Sequence, residues 1–279
     1  GRDADRIVQT AKKAGVKKID YLLITHYHTD HVGGVTQLVE RMPVMNFIIH
    51  GKNTETGKRA DELQEALDKA AAKGKTIIVK PGDKIPVDGL DIEVLSARGE
   101  LTTKTMAGAG QPNPVCANQP RKEKDPSENG KSIGFLLTFG KFKLLDLADL
   151  TWNLEMDLVC PANRVGTVDV YLSDHHGLAQ SNAPALVHAV KPRVIVMNNG
   201  ANKGGDAEAW KSMKASPGLE DFWQMHYTVK AGTAANAEQP FIANLESPGG
   251  KNIRIVAEPT GAFKVTNQRN RFEKAYAAR

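Results

Sequence analysis

The stretch THYHTDHVGG, residues 25–34, decides the fold because it places four metal-ligating side chains within six positions: His26, His28, Asp30 and His31. Imidazoles and carboxylates are costly to bury unless something pairs them. On an extended segment, side chains two apart point the same way, so the first two histidines can hold one ion. Asp30 and His31 follow after a turn and can reach a second ion. The stretch therefore predicts a site for two metal ions.

The ligand types restrict the choice of ion and of reaction. Neutral imidazole and carboxylate ligands suit Zn²⁺, and also Mn²⁺ or Fe²⁺. Two such ions about 4 Å apart activate water at neutral pH. We therefore expect two divalent ions as cofactors, with zinc favoured, and hydrolysis as the reaction.

Further ligand types follow two later strands. Asp149 comes directly after the buried strand of LLDLADL, and His175 and His176 end the strand of VDVYLSDHHG. Open α/β sheets place their sites at the carboxyl ends of strands, so these side chains are expected near the first cluster. Asp149 could bridge both ions. Asp146 is its competitor, although it lies within the strand and its side chain would point differently.

Each of these residues also has a structural interpretation. Asp149 could instead cap the helix of WNLEMDLV, and the histidine pair could belong to the surface or the core. His50 ends a strand and is expected to be structural. His188 lies at helical spacing in PALVHAV and is expected to be packed, whereas His226, among aromatic residues, is either packed or part of a pocket.

The pattern along the chain predicts an α/β fold in which strands alternate with helices and several hairpins interrupt. Residues 59–73 form the clearest amphipathic helix, and residues 206–225 are expected to be helical with a break near Pro217. Residues 97–130 lack periodicity and are expected to form a long loop insertion beside the site. The tail from Asn267 is basic and polar. We expect one domain over residues 1–279.

Bulk composition constrains the partners. The 279 residues carry a net charge of +5, which weakly favours anionic partners. The basic residues are scattered, so a solvated surface is preferred over a nucleic-acid track. No apolar run approaches the length of a membrane span, which argues against integral membrane contact.

The two cysteines match no metal motif. Cys116 and Cys160 could form one disulfide in an oxidising compartment or stay reduced. Our hypothesis is a disulfide that ties the long loop to the helix after Asp149. The chain opens GRDADRI without a signal peptide, although a mature form would look the same. A periplasmic or secreted location is slightly favoured over the cytoplasm.

The motifs together resemble the metallo-β-lactamase superfamily. THYHTDHVGG is similar to its signature, Asp149 resembles its bridging aspartate, and LSDHHG resembles its late histidine motif. SENGKSIGFLLTFGKFKLLDLADL also looks like the competence-type DNA-uptake nuclease and phosphorylcholine esterase branch. The resemblance implies a four-layer αββα sandwich with two metal ions at one edge.

The resemblance also implies a role for each site residue. His26 and His28 would bind the first metal, Asp149 would bridge, and the second metal would take Asp30, His31 and His176. The choice between His175 and His176 as the metal ligand is nearly even. As catalytic residues, Asp30 would handle the proton of the attacking water and His175 would contact the substrate or leaving group.

Two departures from the family pattern stand out. Many members carry a further histidine before the bridging aspartate, whereas this interval holds only His50, so water could complete the first metal's shell. Members also usually begin with two or more strands, and this chain opens at or just before the first helix. The sandwich is therefore expected to lack its first strands, with an exposed sheet edge that a homo-oligomer could cover.

We expect a metallo-hydrolase acting on an ester, from a small molecule or a nucleic acid. A phosphodiester is favoured, because two metals clamp the attacking and leaving oxygens. The alternatives are a lactone or β-lactam hydrolase, or a non-catalytic binding protein on the same fold.

Overall fold

The computed structural model describes residues 2–279. The helices are α1 Arg2–Lys13, α2 Thr29–Val32, α3 Val35–Arg41, α4 Lys58–Ala71, α5 Trp152–Val159, α6 Pro184–Val190 and α7 Ala207–Lys214. The strands are β1 Ile19–Leu23, β2 Val44–Ile49, β3 Lys75–Ile78, β4 Lys84–Ile85, β5 Asp91–Ala97, β6 Glu100–Leu101, β7 Gly134–Phe139, β8 Phe142–Asp146, β9 Val170–Leu172, β10 Val194–Met197, β11 Asp221–His226, β12 Ile242–Asn244, β13 Ile253–Ala257, β14 Phe263–Asn267 and β15 Glu273–Tyr276.

The N-terminal half builds a parallel sheet in the order β1-β2-β3, with helices on one face. In α4 the apolar residues recur at helical spacing, so Leu63 and Leu67 point to the same side and pack against Phe47 of β2. Helix α1 packs on α3 in the same outer layer through Val8 and Leu38. Because β1 ends beneath these helices, the segment that follows it is held at the edge of the sheet.

The second sheet runs in the order β12-β11-β10-β9-β8-β7-β5-β4, with β6 paired to β5. Its strands β8 to β12 are parallel, and β4 to β8 are joined by antiparallel pairings. Helices α5, α6 and α7 cover one face, where Leu158, Leu186 and Met213 enter a single apolar cluster. The loops after β8 and β9 therefore emerge at one edge, under these helices.

The remaining faces of the sheets pack against each other. Ile48 of β2 meets Val94 of β5, and the antiparallel sheet β13-β14-β15 covers the rest of the large sheet through Phe263 and Trp223. The layers are thus helix, sheet, sheet and helix. This arrangement confirms the predicted α/β sandwich, in which the layer facing the large sheet consists of two separate three-stranded sheets, one from the N-terminal part of the chain and one from the C-terminal part.

One sequence expectation was wrong. Residues 206–225 are not all helical: α7 ends at Lys214, and Asp221–His226 is strand β11. This strand reads DFWQMH and is buried at both alternating sets of positions over its first four residues, so the strict alternation of apolar and polar residues that marks a strand is missing there. The polar tail also contains a strand, β15, in which Tyr276 stacks on Phe263 of β14.

The long loop over residues 97–130 contains little regular structure, as expected. It holds the short strand β6 and 3-10 turns at Pro114–Asn118 and Glu128–Lys131. The hypothesised disulfide is present: Cys116 is bonded to Cys160 at the end of α5, with Cα atoms 5.8 Å apart. The loop is therefore tied to the helix that follows Asp149.

The edge at β1 is open in the part of the chain that the structure describes, where β1 pairs only with β2. Covering of this edge by a second copy stays a prediction, as does the single domain over residues 1–279. None of the helices in residues 2–279 combines the length and the apolar character needed to cross a bilayer.

Candidate metal centre

The histidine motif lies on the turn between β1 and α3. Residues 24–28 have left the strand, α2 begins at Thr29, and Asp30 and His31 occupy its first turn. Gly33 is required there, because a Cβ atom at this position would lie 2.4 Å from the carbonyl oxygen of Thr29. The buried Tyr27 points away from the motif and donates to the carbonyl of Gly51. The histidines are thus turned to the opposite side, toward the second sheet.

Asp149 reaches the same edge from the loop after β8. Its backbone N–H donates to the hydroxyl of Ser132 over 3.3 Å. Thr151, not Asp149, occupies the position that caps α5, so the capping interpretation does not hold. Asp146, the competitor, accepts from the N–H of Ala148 at the end of β8, and burial raises the pKa of its carboxyl. Asp149 is therefore the carboxylate that faces the histidines.

The later histidines lie on a tight turn after β9. His175 and His176 both adopt left-handed backbone conformations, with φ of 48° and 56°. Non-glycine residues are held in this region only when their surroundings impose it, and such strain concentrates at functional sites. Here the N–H of His175 donates to the carbonyl of Ala148 over 2.8 Å, which ties this turn to the Asp149 loop.

The structure brings the six predicted ligands into two groups that share Asp149. We call His26, His28 and Asp149 the inner group, and Asp30, His31, Asp149 and His176 the outer group. Within each group, one ligand atom from every side chain lies within 4.8 Å of the others.

The distances in both groups fit ligands around an ion. In the inner group, His26 Nε2 faces His28 Nδ1 at 3.1 Å, close to the separation of about 3.3 Å between two nitrogens of a tetrahedral zinc site. In the outer group, Asp149 Oδ2 lies 3.2 Å from His31 Nε2 and 3.6 Å from His176 Nε2.

The strongest sign that the residues fit metal ions is the state of Asp149. Its side chain is 1% exposed, yet within residues 2–279 neither carboxylate oxygen has a hydrogen-bond partner of good geometry. A buried carboxylate without partners is strongly unfavourable. The same holds for the buried Nε2 atom of His31. Divalent ions between these atoms would satisfy all of them.

The charges of the site have the sign that attracts cations. Burial lowers the pKa of His26 to about 3, so its ring is neutral and offers a lone pair. For Asp149, burial acts to raise the pKa, but the charged ring of His31, 3.2 Å away, outweighs it, lowers the pKa and keeps the carboxyl ionised. Against burial, the carboxylates of Asp149 and Asp30 raise the pKa of His31 to about 9. Without metal, His31 therefore carries a proton that a bound ion would replace.

A chain of supporting side chains lies behind the inner group, and sequence reasoning missed it. His28 Nε2 lies 3.1 Å from Glu55, which accepts from the N–H of Glu128. Glu128 is fully buried and accepts from the N–H groups of Tyr27 and Thr54. Carboxylates in this position fix the ring orientation of a metal-binding histidine. Glu55 lies in a loop and Glu128 begins a short 3-10 turn, so no periodic pattern signals either residue.

Two more residues near the ligands were missed. Ser132 lies in GKSIG, residues 130–134, which fits the G-x-S-x-G pattern of serine hydrolases. Its hydroxyl, however, accepts from Asp149 and lies 3.4 Å from His26 Nδ1, so Ser132 supports the ligands. The ammonium of Lys203 contacts Asp30 Oδ2. The only sequence signal for Lys203 is a Gly-rich loop after β10.

The other histidines differ in their surroundings. His175 is buried beside the site, with Nε2 at 3.7 Å from Asp149 Oδ2, and burial lowers its pKa. His50 is buried against Glu128 at 3.0 Å, as expected of a structural residue. His188 lies 3.0 Å from the carbonyl of Ser212, far from the ligands in the fold. His226 is half-buried at the end of β11.

A cleft of about 690 Å³ opens beside the inner group. His28 lines it together with Lys122, Lys124, Ser127 and Trp152. The loop of residues 97–130 thus supplies one wall, as expected of an insertion beside the site. A substrate in this cleft would reach the ligands from the side of His28.

Comparisons with known proteins agree with the geometry. The metallo-beta-lactamase superfamily profile matches residues 1–111. ComE operon protein 3 of Bacillus subtilis (strain 168) is 24% identical over 193 residues, 69% of this chain and 21% of that protein. Hydroxyacylglutathione hydrolase of Klebsiella pneumoniae is 35% identical over 78 residues, 28% of this chain and 24% of that protein. The chain therefore spans only a fifth to a quarter of these relatives.

Among solved structures, the metallo-beta-lactamase fold protein YhfI from Bacillus subtilis aligns with a TM-score of 0.42 at 13% identity. The alignment covers 77% of this chain and 79% of that one.

Proposed function

We propose, from the match of residues 1–111 to the metallo-beta-lactamase superfamily and from the geometry of the site, that the chain is a metal-dependent hydrolase of phosphodiesters. The observation that carries the proposal is the convergence of two ligand groups on Asp149, a buried carboxylate whose oxygens lack partners among residues 2–279. Superfamily members are mainly metal-dependent hydrolases. The positive net charge of +5 favours an anionic ester over a neutral one.

Two divalent ions, with zinc favoured, would occupy the inner and outer groups. Bound there, they would supply Lewis acidity and make water a nucleophile at neutral pH. Asp149 would contribute to both sites, and the hydrogen-bonded rings of His26 and His28 would hold their lone pairs toward the inner one.

The chain's own residues have further roles in this proposal. Asp30 is 41% exposed at the mouth of the site, so its carboxylate is placed to accept the proton of the attacking water. His175 lies beside Asp149, with Nε2 at 3.7 Å from Asp149 Oδ2 and with a buried Nδ1 atom that has no hydrogen-bond partner among the described residues. We assign to it the contact with the substrate or the leaving group.

The test is hydrolysis of bis(p-nitrophenyl) phosphate before and after metal removal. Chelation should abolish turnover, and Zn²⁺ or Mn²⁺ should restore it in the wild type and in His188→Gln, a histidine control outside the site. His28→Ala should not be restored. Turnover of nitrocefin or of an acyl-lactone without phosphodiesterase activity would select the lactone or β-lactam alternative. Binding of metal without turnover of any ester would indicate a binding protein.

We also propose that the protein functions in an oxidising compartment outside the cytoplasm. The support is the disulfide between Cys116 and Cys160, since such bonds persist where thiols are not kept reduced. Thiol titration of the unreduced, denatured protein from its native source should find no free thiol. Two reactive thiols would contradict this location.

A further inference from the structure

Lys203 places a cation at the mouth of the site, where no ligand role calls for one. Its ammonium contacts Asp30 Oδ2, and the same oxygen lies 3.0 Å from His176 Nε2. The side chains of Lys203 and Asp30 are 48% and 41% exposed, so this contact lies on the rim, open to solvent. An exposed ion pair of this kind contributes little to stability.

The loop that carries Lys203 is fastened to the turn that carries His176. The N–H of Gly205 donates to the carbonyl of His176 over 3.0 Å, and the N–H of Asp206 donates to Gly177 over 2.9 Å. Gly204 has a φ of 76°, and a Cβ atom there would come within 2.0 Å of the His176 carbonyl oxygen. The backbone of Lys203 is thus placed by the same turn that places an outer ligand.

Metal binding would change the surroundings of the Lys203 ammonium. An ion held by the outer group would share Asp30 with a second cation, and two cations at one carboxylate repel each other. The long flexible lysine stem allows the ammonium to leave Asp30 while the fastened loop keeps its Cα on the rim. In a metal-loaded site, this ammonium would lose its carboxylate partner and would be available to an anionic ligand at the mouth.

We propose that Lys203 binds the anionic oxygens of the substrate group that is hydrolysed, and so selects phosphate esters over neutral esters. This inference rests on the proposed hydrolase function and names the substrate class of that site. Phosphate oxygens restore a charge-assisted partner to the ammonium, and lysine is a common phosphate ligand in proteins. A lactone or carboxyl ester offers no such charge.

The experiment compares metal-loaded wild type with Lys203→Gln, Lys203→Arg and Lys230→Gln. Lys230 is exposed on the neighbouring segment, where Val229 bonds to Ala201 of the loop, so Lys230→Gln removes the same charge from a matched position. Metal content is measured for every variant. Inorganic phosphate is titrated calorimetrically, and kcat/KM is measured for bis(p-nitrophenyl) phosphate and for neutral p-nitrophenyl acetate.

Lys203→Gln should weaken phosphate binding and lower kcat/KM for the phosphodiester about 10- to 100-fold, the range for loss of one charge-assisted hydrogen bond. Its metal content and its rate with the neutral ester should match the wild type. Lys203→Arg keeps the charge and should lose far less, and Lys230→Gln should behave as wild type.

Equal losses on both esters, or altered metal content in Lys203→Gln, would show that Lys203 only supports Asp30 and would overturn the inference. Unchanged phosphate binding in this variant would overturn it as well. If the wild type hydrolyses neither ester, the proposed function fails, and the phosphate titration alone then decides the role of Lys203.

Discussion

The inner and outer groups share one carboxylate but differ in how they are built. The outer group offers four ligands, two of them carboxylates, and its Asp30 lies on the exposed rim, where Lys203 also contacts it. The inner group offers three ligands. Its His26 is fully buried, and its His28 borders the cleft.

This difference indicates that the two groups have different roles. A tetrahedral ion with four protein ligands has no open position, whereas three protein ligands leave one position for water or substrate. The inner group is therefore expected to have the open coordination position, facing the cleft. Glu55 and Glu128 are expected to fix the orientation of its histidine rings. The outer group is expected to bind the tighter ion and to set the charge at the mouth.

Replacing the shared ligand should have the largest effect. Asp149→Asn removes the carboxylate from both groups, so both ions should be lost and phosphodiesterase activity should fall by about a thousandfold or more. Elemental analysis and initial rates measure the two effects. The matched control is Asp146→Asn, which keeps the oxygen that accepts from Ala148 and should retain both ions. An Asp149→Asn protein that still binds two ions would contradict a shared ligand.

Removing one ligand from each group should separate them. His28→Ala should lose the inner ion and keep the outer one, whereas His176→Ala should weaken the outer ion while the inner ligands stay intact. Equilibrium dialysis at rising metal concentration, with both variants beside the wild type, measures the two affinities. Identical binding curves for the two variants would mean that the groups act as one site.

Acid should destabilise the protein by protonating Glu128, which supports the inner group. Burial acts to raise the pKa of Glu128, but hydrogen bonds from His50 and Thr54 outweigh it and lower the pKa from 4.5 to about 2. The carboxylate therefore contributes stability that is fully present above about pH 4.5 and is lost as the pH falls toward 2. A shift of this size corresponds to about 3 kcal/mol. Urea unfolding of the metal-free protein at pH 7 and pH 3 measures it.

The glutamine variant provides the control for this acid effect. Glu128→Gln should be less stable than the wild type at pH 7 and should lose less of its remaining stability between pH 7 and pH 3. If the free energy of unfolding falls by the same amount between pH 7 and pH 3 in both proteins, the ionisation of Glu128 does not contribute to stability.

The smallest effect is expected from the residue that orients His28. Glu55→Gln should weaken metal binding at the inner group by about 10- to 100-fold, the range for loss of a carboxylate partner of a ligand histidine. Binding at the outer group should not change. Glu62→Gln, which alters an exposed glutamate paired with Arg59, is the control. Equal weakening at both groups would assign Glu55 a general structural role.

The sequence predicted those features that have a local signature. The H-x-H-x-D-H spacing marks a loop after a strand, and Asp149 and His176 each follow an apolar strand. Their convergence was predictable because open α/β sheets place their sites at the carboxyl ends of strands. The helix α4 and the hairpins were visible in periodicity and turn residues. The α/β sandwich followed from the family resemblance as well as from these patterns.

What the sequence did not reveal depends on contacts between distant segments. Glu128 is linked to Tyr27 across 101 positions, and Lys203 to Asp30 across 173. Neither residue lies in a periodic element. Strand β11 was missed for a different reason: covered on both faces, it shows no alternation. Backbone strain at His175 and His176 also has no signature in residue type, because left-handed histidines are set by the surrounding fold.

The most direct test of the two-ion centre is anomalous diffraction from crystals soaked in Zn²⁺ or Mn²⁺. We predict two anomalous peaks, one within ligand distance of His26 and His28, one within ligand distance of Asp30, His31 and His176, and both adjacent to Asp149. A soaked crystal with no peak beside Asp149, or with its only peaks elsewhere on the surface, would contradict the central claim.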